Sequence, residues 1–286
     1  MPFTMSNGVR LAYDEAGTAG AGPAVVMTHG GLADRRMWDH QFHALAEHCR
    51  VVRYDMRGLG ESEDSRGAFA RCDDLLGLLD ALDIERAILV GNSIGGAHSI
   101  EAALSAPERV SGLALICSGL TEYDWPAEMT TEVGHLIGDR VPPERLARYW
   151  DRSAESIDPA DVAVLAEVNV SYMVAGPKRS LQDLDPAVRE LALEMCRNNF
   201  MRDWSVPQYQ ERFLQPPIID RLRDIAVPTL IVNGVHDPSA IQEIADLMAV
   251  RIPRVTRVDL EAGHLPPMEA PEETTRVLLE FIAALL

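Results

Sequence analysis

The sequence predicts an α/β fold in which helices cover both faces of a mostly parallel, doubly wound sheet. Its strand candidates are apolar runs rather than alternating ones, which is typical of strands that are buried on both faces. Helical patterns alternate with these runs along the chain, and such alternation favours parallel strands joined by crossover helices. The six predicted buried strands span residues 24–28, 51–54, 87–90, 113–117, 229–233 and 255–260.

Two further strands and a set of helices complete the predicted core. Residues 3–5 and 9–13 flank the Ser6-Asn7-Gly8 segment, and Asn-Gly is a strong hairpin turn signal, so we expect an N-terminal hairpin. The core helices are predicted at residues 37–48, 68–82, 94–106, 240–250 and from 272 to the C-terminal end.

The alternation of strands and helices breaks between residues 119 and 222, where no clear strand is predicted. Two helix starts in this segment place a proline directly after an N-cap aspartate, at Asp158-Pro159 and Asp185-Pro186. We therefore predict a core domain of residues 1–118 and 223–286, with a helical cap of residues 119–222 inserted after the sixth core strand. The predicted cap helices span residues 127–137, 143–152, 159–174 and 186–199.

A Gly-x-Ser-x-Gly motif at Gly91-Asn92-Ser93-Ile94-Gly95 follows a predicted strand and opens a predicted helix. In that setting we expect the serine at a tight strand-to-helix turn, where only glycine neighbours leave room for the backbone to reverse. The turn lifts the serine hydroxyl away from the sheet. It also puts the Ile94 N–H at a helix N-terminus, where it can stabilise an oxyanion. Ser93 is therefore the candidate nucleophile.

A serine nucleophile needs a base and an acid, and both candidates follow late strands. His264 comes after Gly263 beyond the last predicted strand, and a loop histidine there can accept the Ser93 proton. Asp237 follows the preceding strand, where it can orient this histidine, although it can also cap the next helix. Asp124 is a second candidate for the acid. The other histidines considered are His29, His98, His135 and His236, and we expect structural roles for His29 and His98.

The motif around Ser93 and four further segments follow one another along the chain in the order that the α/β-hydrolase superfamily uses. In that superfamily the catalytic residues occur in the chain order Ser, Asp and His. The chain therefore resembles the α/β-hydrolase superfamily. The resemblance covers nearly the whole chain apart from the cap. Within the superfamily, the chain is similar to small members with a lid, such as 3-oxoadipate enol-lactone hydrolases, carboxylesterases, cofactor-free haloperoxidase-like perhydrolases and meta-cleavage-product hydrolases. The four segments are residues 25–31 (strand and oxyanion loop), 54–62 (a D-x-R-G-x-G-x-S turn), 230–237 (acid loop) and 262–264 (base loop).

The resemblance also implies roles for residues around the motifs. The backbone N–H of Gly31 would pair with that of Ile94 as an oxyanion hole, with a shift by one residue to Gly30 or Leu32 left open. Asp55 and Arg57 would form a structural brace. An arginine after the oxyanion loop could hold a substrate carboxylate, or it could simply begin a solvated helix. The substrate-binding candidates are Gly30, Leu32, Arg35, Trp38 and Trp125.

Serine at the motif's centre favours acyl chemistry rather than the alkyl-ester chemistry of epoxide hydrolases and haloalkane dehalogenases, which carry aspartate there. We expect an ester or lactone hydrolase for a small, mostly apolar acyl substrate, working through an acyl-enzyme without a metal or an organic cofactor. The alternatives are a carbon–carbon bond hydrolase of the meta-cleavage-product type, a small-molecule receptor, and a cofactor-free lyase or oxygenase on the same fold.

Composition limits the partners of the chain. Its 286 residues carry a formal net charge of −18, with a pI near 4.8, and such a charge disfavours binding to nucleic acid or to an anionic membrane. No basic leader or transmembrane run is evident, so we expect a cytoplasmic protein with a small-molecule substrate; a homodimer stays open. The cysteines lack metal or redox spacing and are expected as free thiols: Cys49, Cys72, Cys117 and Cys196.

Overall fold

An eight-stranded sheet lies at the centre of the molecule. The structure is a computed structural model that describes residues 2–18 and 22–285, so Met1 and Leu286, the outer limits of the predicted core domain, lie outside the described residues. A separate pair of two-residue strands accompanies the main sheet. In chain order the strands are β1 (Phe3–Ser6), β2 (Val9–Ala16), β3 (Ala24–Thr28), β4 (Val51–Tyr54), β5 (Ala68–Phe69), β6 (Ala87–Asn92), β7 (Val110–Ile116), β8 (Gln210–Glu211), β9 (Thr229–Gly234) and β10 (Val255–Leu260).

The strand pairing confirms the predicted mostly parallel, doubly wound sheet. The order across it is β1-β2-β4-β3-β6-β7-β9-β10. Only β1 with β2 and β2 with β4 pair antiparallel, and the other neighbours run parallel. Every residue of β3, β6 and β9 is buried. Mostly apolar sequence is therefore what these strands require, because helices cover both faces of the sheet. The prediction of a buried strand at residues 255–260 is wrong in one respect: β10 lies at the edge of the sheet, and only its Leu260 is buried.

From β3 onward, helices connect the successive strands of the main sheet, as the periodicity predicts. Within the described residues, no helix combines the length and the apolar character needed to cross a membrane. The α-helices are α1 (Asp39–Ala46), α2 (Arg71–Ala81), α3 (Ile94–Ser105), α4 (Ala127–Ile137), α5 (Pro143–Trp150), α6 (Pro159–Asn169), α7 (Pro186–Ser205), α8 (Ile218–Arg221), α9 (Ser239–Arg251), α10 (Pro266–Glu269) and α11 (Pro271–Ala283).

Three local details differ from the predicted boundaries. The helix expected from residue 68 begins at Arg71, because Ala68 and Phe69 pair in parallel with Gln210 and Glu211 instead. That pairing also puts a short strand into the segment where none was predicted. The helix expected over 159–174 changes at Val170 into a π-helical turn, Val170–Ala175. Neither a two-residue strand nor a π-helical turn has a repeat long enough to read from sequence.

The helices between the sixth and seventh strands of the main sheet have a small core of their own. Seven buried side chains form it, and the rings of Tyr149 and Trp204 stack within it at 5.0 Å between centroids. Asp158 and Asp185 accept hydrogen bonds from the first-turn N–H groups of α6 and α7, as N-caps do. The cluster is Ile137, Val141, Tyr149, Val162, Leu165, Val168 and Trp204.

The carboxyl ends of β6, β9 and β10 bring three loops to one edge of the sheet. Parallel strands end at the same edge, where the crevice of an open α/β sheet commonly binds ligands. The loop after β6 carries Ser93, the loop after β9 carries Asp237, and the loop after β10 carries His264. Residues far apart in the chain are thus collected at a single place by strand direction alone.

Candidate active site

Ser93 lies between β6 and α3 in a strained backbone conformation, with φ 55° and ψ −124°. The glycines of the motif explain how the turn is accommodated. A Cβ on Gly91 would lie 2.5 Å from the carbonyl oxygen of Gly95, and a Cβ on Gly95 would lie 2.4 Å from that of His29. Both overlaps are with backbone, which no side-chain movement can relieve. The Gly-x-Ser-x-Gly pattern is therefore a steric requirement of this turn.

Hydrogen bonds hold the Ser93 backbone on both sides. Its N–H donates to the carbonyl oxygen of Ile116 at 3.1 Å. Its carbonyl oxygen accepts from the N–H groups of Gly96 and Gly119, each at 3.0 Å. The residue itself is only half-buried. A fixed backbone with an accessible side chain is the arrangement that presents a hydroxyl to a substrate.

His264 and Asp237 form a buried hydrogen-bonded pair. Nδ1 of His264 lies 2.8 Å and 3.0 Å from the two carboxylate oxygens of Asp237, and the side chains are 2% and 0% exposed. Burial raises the pKa of Asp237 above its usual value, while the His264 ring and the Cys117 thiol act in the opposite direction. An ionised carboxylate only accepts, so Nδ1 carries the proton and Nε2 is left as the basic nitrogen.

The His264 loop is anchored from two sides. Nδ2 of Asn92 donates to the His264 carbonyl oxygen at 3.0 Å and to that of Ile116 at 3.1 Å. On the other side, the His264 N–H donates to the carbonyl oxygen of Met173 in the π-helical turn at 3.2 Å. The loop that carries the histidine is therefore tied both to the residue before Ser93 and to the helical segment between β7 and β9.

A half-buried ion pair supports the same loop, and the sequence did not single it out. Glu269 accepts from the Gly263 N–H at 2.9 Å and from Nη2 of Arg179 at 2.7 Å. Burial raises the pKa of the Glu269 carboxyl, and both donors counteract this. The signal available in the sequence was a glutamate placed between prolines shortly after His264, in an otherwise apolar stretch.

The predicted oxyanion donors are free to receive a ligand. Among the described residues, none accepts a hydrogen bond from the backbone N–H of Gly31 or of Ile94. A Cβ on Gly30 would lie 3.2 Å from Cβ of Ser93, so the loop of Gly30 and Gly31 passes directly beside the serine. The Asn199 side chain fixes this loop by donating to the Gly31 carbonyl oxygen at 3.2 Å.

A cavity of about 180 Å³ opens beside these donors. Gly31, Leu32 and Ile94 contribute to its wall from the core, and Trp150 and Phe200 contribute from the helical segment. The remaining lining includes further apolar side chains and a polar cluster: Met56, Leu59, Arg71, Cys196, Asn199, Asp203 and Tyr209. An apolar space with few polar groups is typical of a small-molecule site.

Arg35 lies elsewhere, which corrects the expectation that it holds a substrate carboxylate. Its guanidinium binds three carboxylates of this chain, at 3.0 Å from Asp14, at 2.6 Å from Glu61 and in a close contact with Asp55. Asp55 also accepts from the Glu61 N–H at 2.9 Å. Asp55 is therefore a structural brace, as predicted, and Arg35 is part of that brace.

The two tryptophans predicted to bind substrate also lie outside this cavity, in the part of the chain that the structure describes. Trp38 is completely buried in the main core, where its side chain serves packing. Trp125 is 45% exposed and packs edge-on against Tyr123 at 5.3 Å between ring centroids. Both expectations are corrected, and the aromatic residues that line the cavity are Trp150, Phe200 and Tyr209.

The other candidate residues have no contact with the His264 ring in the described structure. Nε2 of His29 accepts from the Met56 N–H at 3.0 Å, and burial lowers the pKa of His29, so it stays neutral as a structural acceptor. His98 is buried against Glu101, with 3.0 Å between Nδ1 and Oε2. Asp124 is exposed. Of the remaining histidines, His135 is exposed and His236 lies 3.3 Å from Glu261.

One group of side chains near the site has the atoms that a metal ion could bind. The ligand atoms of Cys117, Asp237 and His264 all lie within 4.8 Å of one another and are buried. Burial and the Asp237 charge raise the pKa of the Cys117 thiol well above its usual value, so it stays protonated. Nδ1 of His264 already serves Asp237. A metal ion would therefore have to replace that hydrogen bond and a thiol proton.

Comparison with known proteins places this geometry in context. Residues 25–277 match the model of a family described as the alpha/beta hydrolase family. An acetyltransferase component of the acetoin cleaving system from Pseudomonas putida is 31% identical over 95% of this chain, which spans 66% of that protein. A 3-oxoadipate enol-lactonase from Acinetobacter baylyi is 25% identical over 92% of this chain and 90% of its own. A thermophilic esterase from Thermogutta terrifontis has a similar structure, with a TM-score of 0.73, 25% identity and coverage of 99% and 98%.

Proposed function

Because the chain belongs to the α/β hydrolase family, we propose that it is a serine hydrolase that cleaves an ester or a lactone of a small, mostly apolar acyl substrate. One observation carries the proposal: Ser93 lies in a strained turn beside two unused N–H donors, and the Asp237-bonded His264 loop is tied to that turn by Asn92. Esterase and enol-lactonase activities among the similar proteins agree with it.

The proposed reaction has two halves. Nε2 of His264 takes the hydroxyl proton while Oγ of Ser93 attacks the substrate carbonyl carbon, and the resulting oxyanion accepts from the N–H groups of Gly31 and Ile94. The carbonyl re-forms as the alkoxide leaves with the proton from His264. Water then loses a proton to the same imidazole and attacks the acyl-enzyme. As the acid leaves, the imidazolium returns this proton to Oγ of Ser93, which regenerates the hydroxyl. Asp237 stabilises the transient imidazolium.

The helices between β7 and β9 are proposed as the cap that shapes the substrate site, within residues 119–222. Two features support this role. Trp150 of α5 and Phe200 of α7 line the cavity beside the oxyanion donors. The segment also packs on the base loop through Met173, whose carbonyl oxygen accepts from the His264 N–H. A cap with apolar side chains over the serine would exclude water and favour apolar acyl groups.

The proposal is tested by turnover of a panel of p-nitrophenyl esters and simple five- and six-membered lactones. Wild-type protein is expected to hydrolyse members of the panel, and Ser93→Ala is expected to lose activity on the order of 10³-fold or more. Ser99→Ala is the matched control, because Ser99 lies on α3, the helix that begins directly after Ser93, and its hydroxyl donates to the Gly95 carbonyl oxygen at 2.8 Å.

Two results would overturn this assignment. Retention of full activity in Ser93→Ala would show that the serine is not the nucleophile, and loss in His264→Ala alone would then point to lyase or oxygenase chemistry. Turnover restricted to vinylogous diketones, with all esters and lactones left intact, would favour carbon–carbon bond hydrolysis.

A further inference from the structure

The cavity beside Gly31 and Ile94 contains a polar cluster that the proposed reaction does not use. Arg71, Asp203 and Tyr209 contribute to its wall among otherwise mostly apolar side chains. The Tyr209 hydroxyl donates to Oδ1 of Asp203 at 2.6 Å and is also hydrogen-bonded to the Arg71 side chain, so these groups form one connected unit. In a small-molecule site, a few polar groups on an apolar wall usually recognise a particular atom of the ligand.

Arg71 is the member of this cluster with a hydrogen-bond donor to spare. Its Nη1 pairs with Glu211, and its Nη2 donates to the Arg57 carbonyl oxygen at 3.2 Å. Its Nε is buried and donates to no described residue. The side chain as a whole is only 11% exposed. The guanidinium has five N–H groups, and its described acceptors are Glu211, the Arg57 carbonyl oxygen and Tyr209. An N–H of Nη1 or Nη2 is therefore left for an acceptor oxygen of a ligand in the cavity that Arg71 lines.

The charges around the cluster decide which kind of oxygen fits. Glu211 compensates the Arg71 guanidinium. Nη2 of Arg152 contacts both carboxylate oxygens of Asp203 at 2.9 Å and compensates that charge. A substrate carboxylate would have to displace Glu211 and would face Asp203 in the same cavity. An uncharged oxygen could accept from the guanidinium without either penalty.

We propose that the acyl group of the substrate carries an uncharged oxygen, such as a keto or hydroxyl oxygen, which accepts a hydrogen bond from Arg71. This inference rests on the proposed function and names the acyl substituent that such a hydrolase prefers. Arg71 is a specificity-determining residue, because it binds a part of the substrate that does not react. The apolar wall accepts the methylene groups between the carbonyl and that oxygen.

The test compares matched p-nitrophenyl esters that differ only in one keto group: pentanoate with 4-oxopentanoate, and hexanoate with 5-oxohexanoate. After subtraction of the uncatalysed rates, wild type is expected to show a higher kcat/KM for at least one oxo ester than for its parent. Arg71→Met is expected to lower this preference about tenfold while the parent ester is cleaved at nearly the wild-type rate. Arg66→Met, at an exposed arginine nearby, should leave the preference unchanged.

Loss of Arg71 could unfold the protein by leaving Glu211 without its partner, so the double variant Arg71→Met/Glu211→Gln, which removes both charges, is measured beside it. A wild type without oxo preference, or a preference that survives both variants, would overturn the inference. A higher kcat/KM for the p-nitrophenyl monoester of glutarate would also overturn it. These outcomes leave the proposed function intact as long as the parent esters are hydrolysed. Failure to hydrolyse any ester would overturn the proposed function and this inference together.

Discussion

Nδ2 of Asn92 donates to the carbonyl oxygen of His264 at 3.0 Å, which joins the serine turn to the loop of the candidate base. The same amide also donates to the Ile116 carbonyl oxygen at 3.1 Å, and Asn92 is completely buried. The residue next to the candidate nucleophile thus positions the histidine backbone directly. Movement of one loop relative to the other would break this hydrogen bond, so the bond couples their positions.

Replacing Asn92 with alanine should impair both folding and turnover. The change leaves two buried carbonyl oxygens without this donor, so we expect the free energy of unfolding to fall by about 1–3 kcal/mol. Because the His264 loop loses its anchor, kcat should fall more than KM rises. Denaturant unfolding and steady-state ester hydrolysis measure these effects. Asn198→Ala, at an exposed position of α7, is the control and should change neither.

Two Gly→Ala substitutions should have opposite effects on stability. Gly95→Ala places Cβ 2.4 Å from the His29 carbonyl oxygen and 2.6 Å from that of Thr28, so we expect a loss of about 3 kcal/mol or more. Gly134→Ala meets nothing within 4 Å on an exposed part of α4, and should stabilise by about 0.5–1 kcal/mol. Thermal and denaturant unfolding measure both effects. Equal changes in stability for the two substitutions would contradict the steric account of the motif.

Trp150 should limit the length of the acyl chain. It lines the cavity and packs edge-on against Phe200 at 6.1 Å between ring centroids, so Trp150→Ala should enlarge the space and raise the octanoate-to-butanoate ratio of kcat/KM several-fold. Trp125→Ala is the control, since Trp125 is similarly exposed but lies outside the cavity. If both variants shift the ratio alike, the cavity is not the acyl site.

His29 should make the protein less stable in mild acid. Burial lowers the pKa of His29 below its ordinary value of 6.5, so the unfolded state takes up this proton at a higher pH than the folded state does. The stability is therefore fully present above pH 6.5 and is lost as the pH falls below it, with a slope of up to about 1.4 kcal/mol per pH unit. His29→Gln keeps an acceptor for the Met56 N–H and should flatten this slope. Unfolding curves from pH 5 to pH 8 for both proteins test it, and parallel curves would exclude His29 as the cause.

The strands were the most predictable part of the fold, for a physical reason. Residues 24–28 and 51–54 are apolar or aromatic except for Thr28 and Arg53, and the structure forms β3 and β4 over those residues. Such runs are typical of strands that are buried on both faces of a sheet, so their secondary structure could be predicted. The pairing of Ala68–Phe69 with Gln210–Glu211 joins two distant, unremarkable dipeptides, and it depends on how the segment after α7 packs. No local sequence pattern predicts this strand pairing.

The candidate site also has a part that the sequence predicts and a part that it does not. The residues of the strained turn and the two loops could be predicted, because their chemistry and their position after strands are visible in the sequence. The direction of a side chain was not visible. Arg35 follows the oxyanion loop, but Asp14 on β2 and Asp55 in the loop after β4 bind its guanidinium, and only the folded chain brings them there. Arg71 also lies on the cavity wall only because residues far from it in the chain pack around it.

The central claim is that Ser93 is an activated nucleophile, and covalent labelling with a fluorophosphonate tests it most directly. Intact-mass spectrometry should show one adduct on wild type, none on Ser93→Ala and a strongly slowed reaction on His264→Ala, with all three proteins folded by circular dichroism. An adduct on Ser93→Ala, or no adduct on folded wild type, would contradict the account.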